Sequence, residues 1–220
     1  LVIEDNIATS SGGGIYCAAG SPILSNVIIR NNTSTSTSSS YGGGGIYCNS
    51  SSPSLTNVTI TENSAYRGGG IYFYGSSSQP VLENVTIAYN TDILSEGGGI
   101  YMNSSDLSLS LSNSIVWGNA PQQIYVSSGS VTAEYSDIQG GYAGTGNIDA
   151  NPLFCDPHID DYSIAAASPC AGTGEDGGNM GSMGVVCDVP NLYTFHISTS
   201  GSDDNNGSSD SPFAPIQKGL

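Results

Sequence analysis

Residues 43–63 open with Gly43-Gly44-Gly45-Ile46-Tyr47-Cys48 and close with Leu55-Thr56-Asn57-Val58-Thr59-Ile60-Thr61-Glu62-Asn63. The string Gly-Gly-Gly-Ile-Tyr occurs four times, with its isoleucine at Ile15, Ile46, Ile71 and Ile100. Between these copies lie Leu24-Ser25-Asn26-Val27, Leu55-Thr56-Asn57-Val58, Leu82-Glu83-Asn84-Val85 and a weaker Leu111-Ser112-Asn113-Ser114. Six residues past each of those asparagines stands another, at Asn32, Asn63, Asn90 and Asn119, and Asn6 fits the same column one repeat earlier. The period is therefore 25 to 31 residues, with the variation in serine-rich stretches such as residues 34–40. Repeats of roughly 20–50 residues mark solenoids, propellers or arrays.

The unit reads as short strands. Ile15 and Cys17 share one face and Tyr16 takes the other, and the inward column Cys17, Cys48, Phe73, Met102 is apolar throughout. Leu55 and Val58 have opposite parity, which a turn at Asn57 resolves by letting both point inward from differently directed strands. Asparagine suits such a corner because it tolerates the left-handed conformation and its amide can bond a neighbouring coil. No helical period competes over residues 1–118. The expectation is an all-β right-handed parallel β-helix: three short parallel sheets, coils of 25–31 residues and like residues stacked in ladders. Asn6, Asn32, Asn63, Asn90 and Asn119 are the expected asparagine ladder.

The chain resembles the pectate-lyase-like superfamily of right-handed parallel β-helices. Its GGGI and I-x-x-N elements are similar to the repeats of polymorphic outer-membrane proteins, with Ile in place of Phe. Tyr135-Ser136-Asp137-Ile138 through Asn147-Ile148-Asp149-Ala150-Asn151-Pro152-Leu153-Phe154, and Asp161-Tyr162 onward to Ser168-Pro169-Cys170, resemble the last coils of secreted β-helix modules. The resemblance covers residues 1–190, with terminal coils from about residue 120. It also implies a disulfide between Cys155 and Cys170, a staple worth on the order of 3 kcal/mol. Cys187 is then unpaired or exchanges partners with that couple. Cys17 and Cys48 share an inward column and either bond or pack as two thiols, the latter matching the behaviour of buried cysteine as a small hydrophobe.

Residues 191–220 form a tail that resembles the start of such a module, although it comes last. One reading is a cut from a tandem array. The other is that the tail of one subunit, through Tyr193, Phe195, Ile197, Phe213 and Ile216, completes the uncapped first coil of the next. An open coil end exposes unpaired backbone groups and an apolar section, and a head-to-tail contact of this kind propagates into filaments.

Composition narrows the function. Three Lys and Arg against 19 Asp and Glu give a net charge of −16 and a pI near 4.1. Nucleic acid and anionic membrane surfaces are poor partners for such a chain. No apolar run approaches the ~18 residues a membrane span requires. Five cysteines and several N-x-S/T sequons point to an oxidising extracellular or cell-surface setting. Among the sequons, Asn57 and Asn84 belong to the repeat, while Asn49, Asn103 and Asn206 are read as loop sites and better glycan acceptors. The chain opens at Leu1 and is expected to be a mature product or a fragment, with any export signal out of view.

Catalytic candidates are few. The superfamily's lyases use Arg or Lys with carboxylate-held Ca²⁺, and here Arg30, Arg67 and Lys218 fall in unrelated columns. Its hydrolases use clustered Asp with His and an R-x-K element, and that element is missing. His158 and His196 are isolated, without zinc-ligand spacing. The glycine triplets lack a following Gly-Lys-Ser/Thr and fit close backbone approach better than phosphate binding. Asp203-Asp204-Asn205-Asn206-Gly207 is a polar turn with a residual resemblance to a calcium loop; no other cofactor is expected. The column Tyr16, Tyr47, Tyr72, Tyr101 has outward parity and serves either as a sugar platform or as a strand-stabilising stack. The expected function is a non-catalytic extracellular filament or surface-layer subunit whose partners are copies of itself. The alternative is a carbohydrate-binding adhesin, and a polysaccharide lyase or hydrolase comes third.

Overall fold

The structure is a computed structural model and describes residues 1–190 apart from Ser39, Ser76, Ser77 and Ser95. The tail residues Tyr193, Phe195, Ile197, Phe213 and Ile216, with Asn206, His196, Lys218 and the Asp203-Asp204 turn, lie outside the described residues.

The repeated motif stacks in register. Strands Ile15–Ala18, Ile46–Asn49 and Ile71–Tyr74 pair in parallel, isoleucine on isoleucine and tyrosine on tyrosine. Gly97–Ser112 places Ile100 on Ile71, and Gln122–Glu134 then places Ile124 on Ile100. Ile124-Tyr125-Val126 is thus a fifth copy of the column that the glycine motif did not mark, because Pro121-Gln122-Gln123 replace the triplet. Coil on coil, the chain forms a parallel β-solenoid.

Asparagine makes the corner as expected. Strands Ile23–Arg30 and Ser54–Thr61 pair in parallel on both sides of Asn26 and Asn57. Asn26, Asn57, Asn84 and Asn113 have φ of 55°, 55°, 51° and 48°. The left-handed residue turns the strand, so Leu55, Val58 and Ile60 all enter the core and are at most 1% exposed. Hydrogen bonding continues through the corner, so the faces join into one bent 12-stranded sheet beside a 4-stranded ladder of two-residue strands. The corner amides do not ladder; Asn26 Nδ2 donates to Ser25 Oγ at 3.0 Å.

The glycine triplet is a steric requirement. A Cβ on Gly45 would stand 2.7 Å from Gly70 O and 3.1 Å from Asn63 Nδ2. Gly43, at φ +68°, takes the left-handed turn ahead of it.

Beyond Ile148, which bridges to Asp137, the path departs from the expected terminal coils. Phe154–Asp156, Asp161–Ala165 and Val185–Cys187 form a separate 3-stranded sheet with one antiparallel and one parallel pairing. Phe154, Tyr162, Ile164, Cys170 and Met180 cluster with Ala88 and Ile115 of the coils. The cause is alternation along Thr86–Ala88 and Ile115–Trp117: Ile87 and Val116 face the solenoid core, so Ala88 and Ile115 face outward and need cover. The returning segment supplies that cover as a lobe on the side of the rod. Tyr142 packs against the solenoid core, and Asn147 Nδ2 donates to Ala133 O at 2.9 Å, closing over the last coil.

The expected Cys155–Cys170 disulfide is replaced by Cys155–Cys187, with a Cα separation of 6.0 Å. The two outer strands of the lobe sheet carry these cysteines on either side of Asp161–Ala165. Cys170 turns away toward the solenoid, where its thiol donates to Asp137 Oδ2 at 3.1 Å.

Candidate functional site

The asparagine column forms an amide ladder that is exposed at Asn6 and buried from Asn32 to Asn119. Asn6 Nδ2 donates to Asn32 Oδ1 at 2.9 Å, Asn32 Nδ2 to Asn63 Oδ1 at 3.0 Å, and Asn63 Nδ2 to Asn90 Oδ1 at 2.9 Å. Asn90 continues it to Asn119 at 2.9 Å, and Asn119 to Gln123 Oε1 at 2.8 Å. Each Oδ1 from Asn32 to Asn119 also accepts the backbone N–H of the asparagine one coil earlier. The second amide hydrogen reaches a carbonyl of the preceding coil, as in Asn63 Nδ2 to Ile29 O at 2.9 Å. A buried polar column is stable only when so fully paired.

Asn6 is the first member of the ladder among the described residues. Val2–Glu4, Ile7–Ala8 and Ile15–Ala18 each pair with a strand on one side only. Leu1, Ile7 and Ile23 are 74–81% exposed there. Among the described residues, no donor reaches Asn6 Oδ1, which occupies the position that accepts two hydrogen bonds in every later coil.

The tyrosine column has the expected outward parity but not the exposure. Tyr16 is exposed, whereas Tyr47, Tyr72 and Tyr101 are buried. Tyr16 and Tyr47 stack at 5.3 Å, whereas Tyr47–Tyr72 and Tyr72–Tyr101 meet edge-on at 5.4 Å and 4.7 Å. The serine-rich insertion covers Tyr47, whose hydroxyl donates to Ser40 O at 2.8 Å, and Tyr74 packs on both Tyr47 and Tyr72. Burial pushes the Tyr72 hydroxyl up to about 12. A continuous sugar platform on this column is therefore corrected to an aromatic stack sealed beneath loops.

The lobe creates a feature that no motif announced. Asn31, Glu62 and Tyr89, corner residues of successive coils, face Pro157, His158 and Asp160 across an open cleft of about 680 Å³. Asp160 pairs with Arg30, which also binds Glu4 with Nη2 at 2.6 Å from Oε2. The Tyr162 hydroxyl donates to Glu62 Oε1 at 2.7 Å. Two carboxylates far apart in sequence thus line one cleft, each already engaged by a neighbour. Burial raises the Tyr89 hydroxyl above its ordinary range.

Residues 1–138 match the family model described as the right handed beta helix region. The chain belongs to the right-handed β-helix family. No curated protein and no solved structure matches it. Within this β-helix the two described arginines stand apart, Arg30 held by Glu4 and Asp160 and Arg67 by Glu96 at 2.9 Å. His158 lies in the 3-10 turn Pro157–Ile159 at the rim of the cleft. Among the described residues no group of three or more His, Cys, Asp or Glu is placed to hold a metal ion, and no helix is long and apolar enough to cross a membrane.

Of the sequons read as loop sites, the two among the described residues fall on strands. Asn49 ends strand Ile46–Asn49, and Asn103 lies inside Gly97–Ser112, where its Nδ2 donates to the Tyr72 hydroxyl at 3.4 Å. Sequence reasoning missed Gln123 as the ladder's continuation and Asp137 as the partner of Cys170. Gln123 aligns with the glycine column at Gly99, and Asp137 follows Thr59, Thr86 and Ile115, so neither broke an apolar pattern that would have marked it.

Proposed function

We propose that this β-helix is a non-catalytic extracellular structural protein, a solenoid subunit that assembles with copies of itself head to tail. The observation that carries the reading is the in-register stacking of whole coils, in which like strand pairs with like strand and each ladder amide binds the next, so that a coil supplied by another copy extends the same columns. A strand layer of this kind is a template for a further one, because backbone N–H and C=O groups and apolar side chains at an edge are both satisfied by one more coil. The proposed occupant is the 191–220 segment of a neighbouring copy, whose Tyr193, Phe195 and Ile197 alternate as a strand would. The Cys155–Cys187 disulfide supports an oxidising compartment. The engagement of Arg30 and Arg67 by carboxylates weighs against a lyase site, which needs a free base.

The lateral cleft favours a second reading, a glycan-binding surface protein in which Tyr89 offers a partly exposed ring beside Asn31 and Glu62. Electron microscopy of the purified full chain separates the two. Filaments that disappear on deletion of residues 191–220 support the structural reading. Discrete particles, or filaments that persist after the deletion, overturn the tail-in-coil assembly, and glycan binding lost in Tyr89→Ala establishes the second reading.

A further inference from the structure

Cys17 and Cys48 are opposed across the parallel strands Ile15–Ala18 and Ile46–Asn49. Both belong to the solenoid core, and neither is in a disulfide. Adjacent strands lie about 4.8 Å apart, inside the roughly 4.4–6.8 Å of Cα separation that a disulfide spans. Cys48 is backed by Phe73 on its other side. Ile15–Ala18 follows Ile46–Asn49 as the last strand in the described order.

The two thiols are chemically unequal. The mutual interaction of the two sulfurs holds the Cys17 thiol below its ordinary range and Cys48 well above it, with burial adding to the latter. Access is unequal too. An open hollow of about 440 Å³, lined by Tyr16, Cys17, Ala18, Gly20, Ser21 and Pro22, leads to Cys17. Cys17 is 9% exposed and Cys48 only 1%. Reactive cysteines combine thiolate character with such access.

We propose that Cys17 and Cys48 form a redox clip, in which a small-molecule disulfide converts the two stacked thiols into a covalent bond between neighbouring coils. The Cys17 thiolate attacks one sulfur of the small disulfide, forming a mixed disulfide and expelling one small thiolate. Cys48 then gives up its proton and attacks the Cys17 sulfur, expelling the second small thiolate. The protein dithiol is oxidised by two electrons and the small disulfide is reduced to two thiols. The clip ties Ile15–Ala18 covalently to Ile46–Asn49. It does not rest on the assembly reading and would survive that reading's failure.

The test treats the full chain, at low micromolar concentration, with excess oxidised glutathione, followed by intact mass, alkylation after unfolding and peptide mapping. The expected product has lost two hydrogen atoms, its alkylatable cysteines fall from three to one, and mapping joins Cys17 to Cys48. Cys48→Ser should stop at a glutathione adduct on Cys17, and Cys17→Ser should leave Cys48 untouched. A wild-type chain that keeps both thiols, carries a lasting adduct on Cys17 beside free Cys48, or links either one to Cys170 overturns the proposal. The wild-type map decides alone should either variant fail to fold.

Discussion

Asn63 uses its whole hydrogen-bonding capacity inside the fold. Its Oδ1 accepts from the backbone N–H and the Nδ2 of Asn32, and its own Nδ2 donates to Ile29 O and Asn90 Oδ1. Alanine at this position strands a buried donor pair on one coil and removes a donor from the next. At about 1–3 kcal/mol for each buried group left unpaired, Asn63→Ala should lower unfolding free energy by roughly 3–4 kcal/mol, read from denaturant midpoints. A loss under about 1 kcal/mol would mean that water replaces the amide. The ladder was legible in the sequence because identical residues recurred at one step. The separate work of Asn57 was legible too, since parity alone required a corner there. What parity could not reveal is that the corner asparagines act by backbone conformation and the ladder asparagines by their side chains.

At the scale of elements, the coil strands are interchangeable in design while the lobe strands are not. Each coil strand repeats its neighbour, so pairing, register and inward column follow from one motif. Phe154–Asp156, Asp161–Ala165 and Val185–Cys187 have no repeat to read, and their mixed pairing was misjudged as further coils. The disulfide was misassigned for the same reason: the true partners lie 32 residues apart and meet only once the lobe sheet forms. Closing a loop of that size contributes about 4 kcal/mol by chain entropy. Cys187→Ser should therefore destabilise the lobe, with hydrogen exchange rising across residues 154–187 and staying unchanged in the asparagine ladder. Equal loosening of lobe and ladder would show that the two unfold together.

For the whole molecule, the contact between lobe and solenoid depends on Asp137. This carboxyl is fully buried, accepts from Ala150 N–H and the Cys170 thiol, and is pushed up to about 6, first by burial. Among the described residues the groups facing it are Cys170 and the like-charged Asp149, with no cation to compensate. A carboxyl raised in the folded state contributes stability that is fully present below its ordinary value near 4 and is lost as pH rises through about 6. Asp137→Asn removes that dependence. The stability difference between variant and wild type should shift in favour of the variant from pH 4 to pH 7, as measured by denaturant midpoints. A difference that stays constant with pH would show that Asp137 ionises without cost in the folded protein.

The sequence by itself determined the solenoid: its period, its inward columns, its asparagine corners and its asparagine ladder. Stacking is a local, repeated interaction, so each motif carries its own instructions and every copy confirms the last. Only the tertiary structure decided that the tyrosine column is sealed under loops and that the terminal segment lies along the side of the rod. It also decided that Cys155 bonds Cys187 and that Glu62 shares a cleft with Asp160. Those outcomes depend on which outward faces remain apolar after the coils have closed, and on residues about a hundred positions apart coming together to cover them. No period in the chain encodes that meeting.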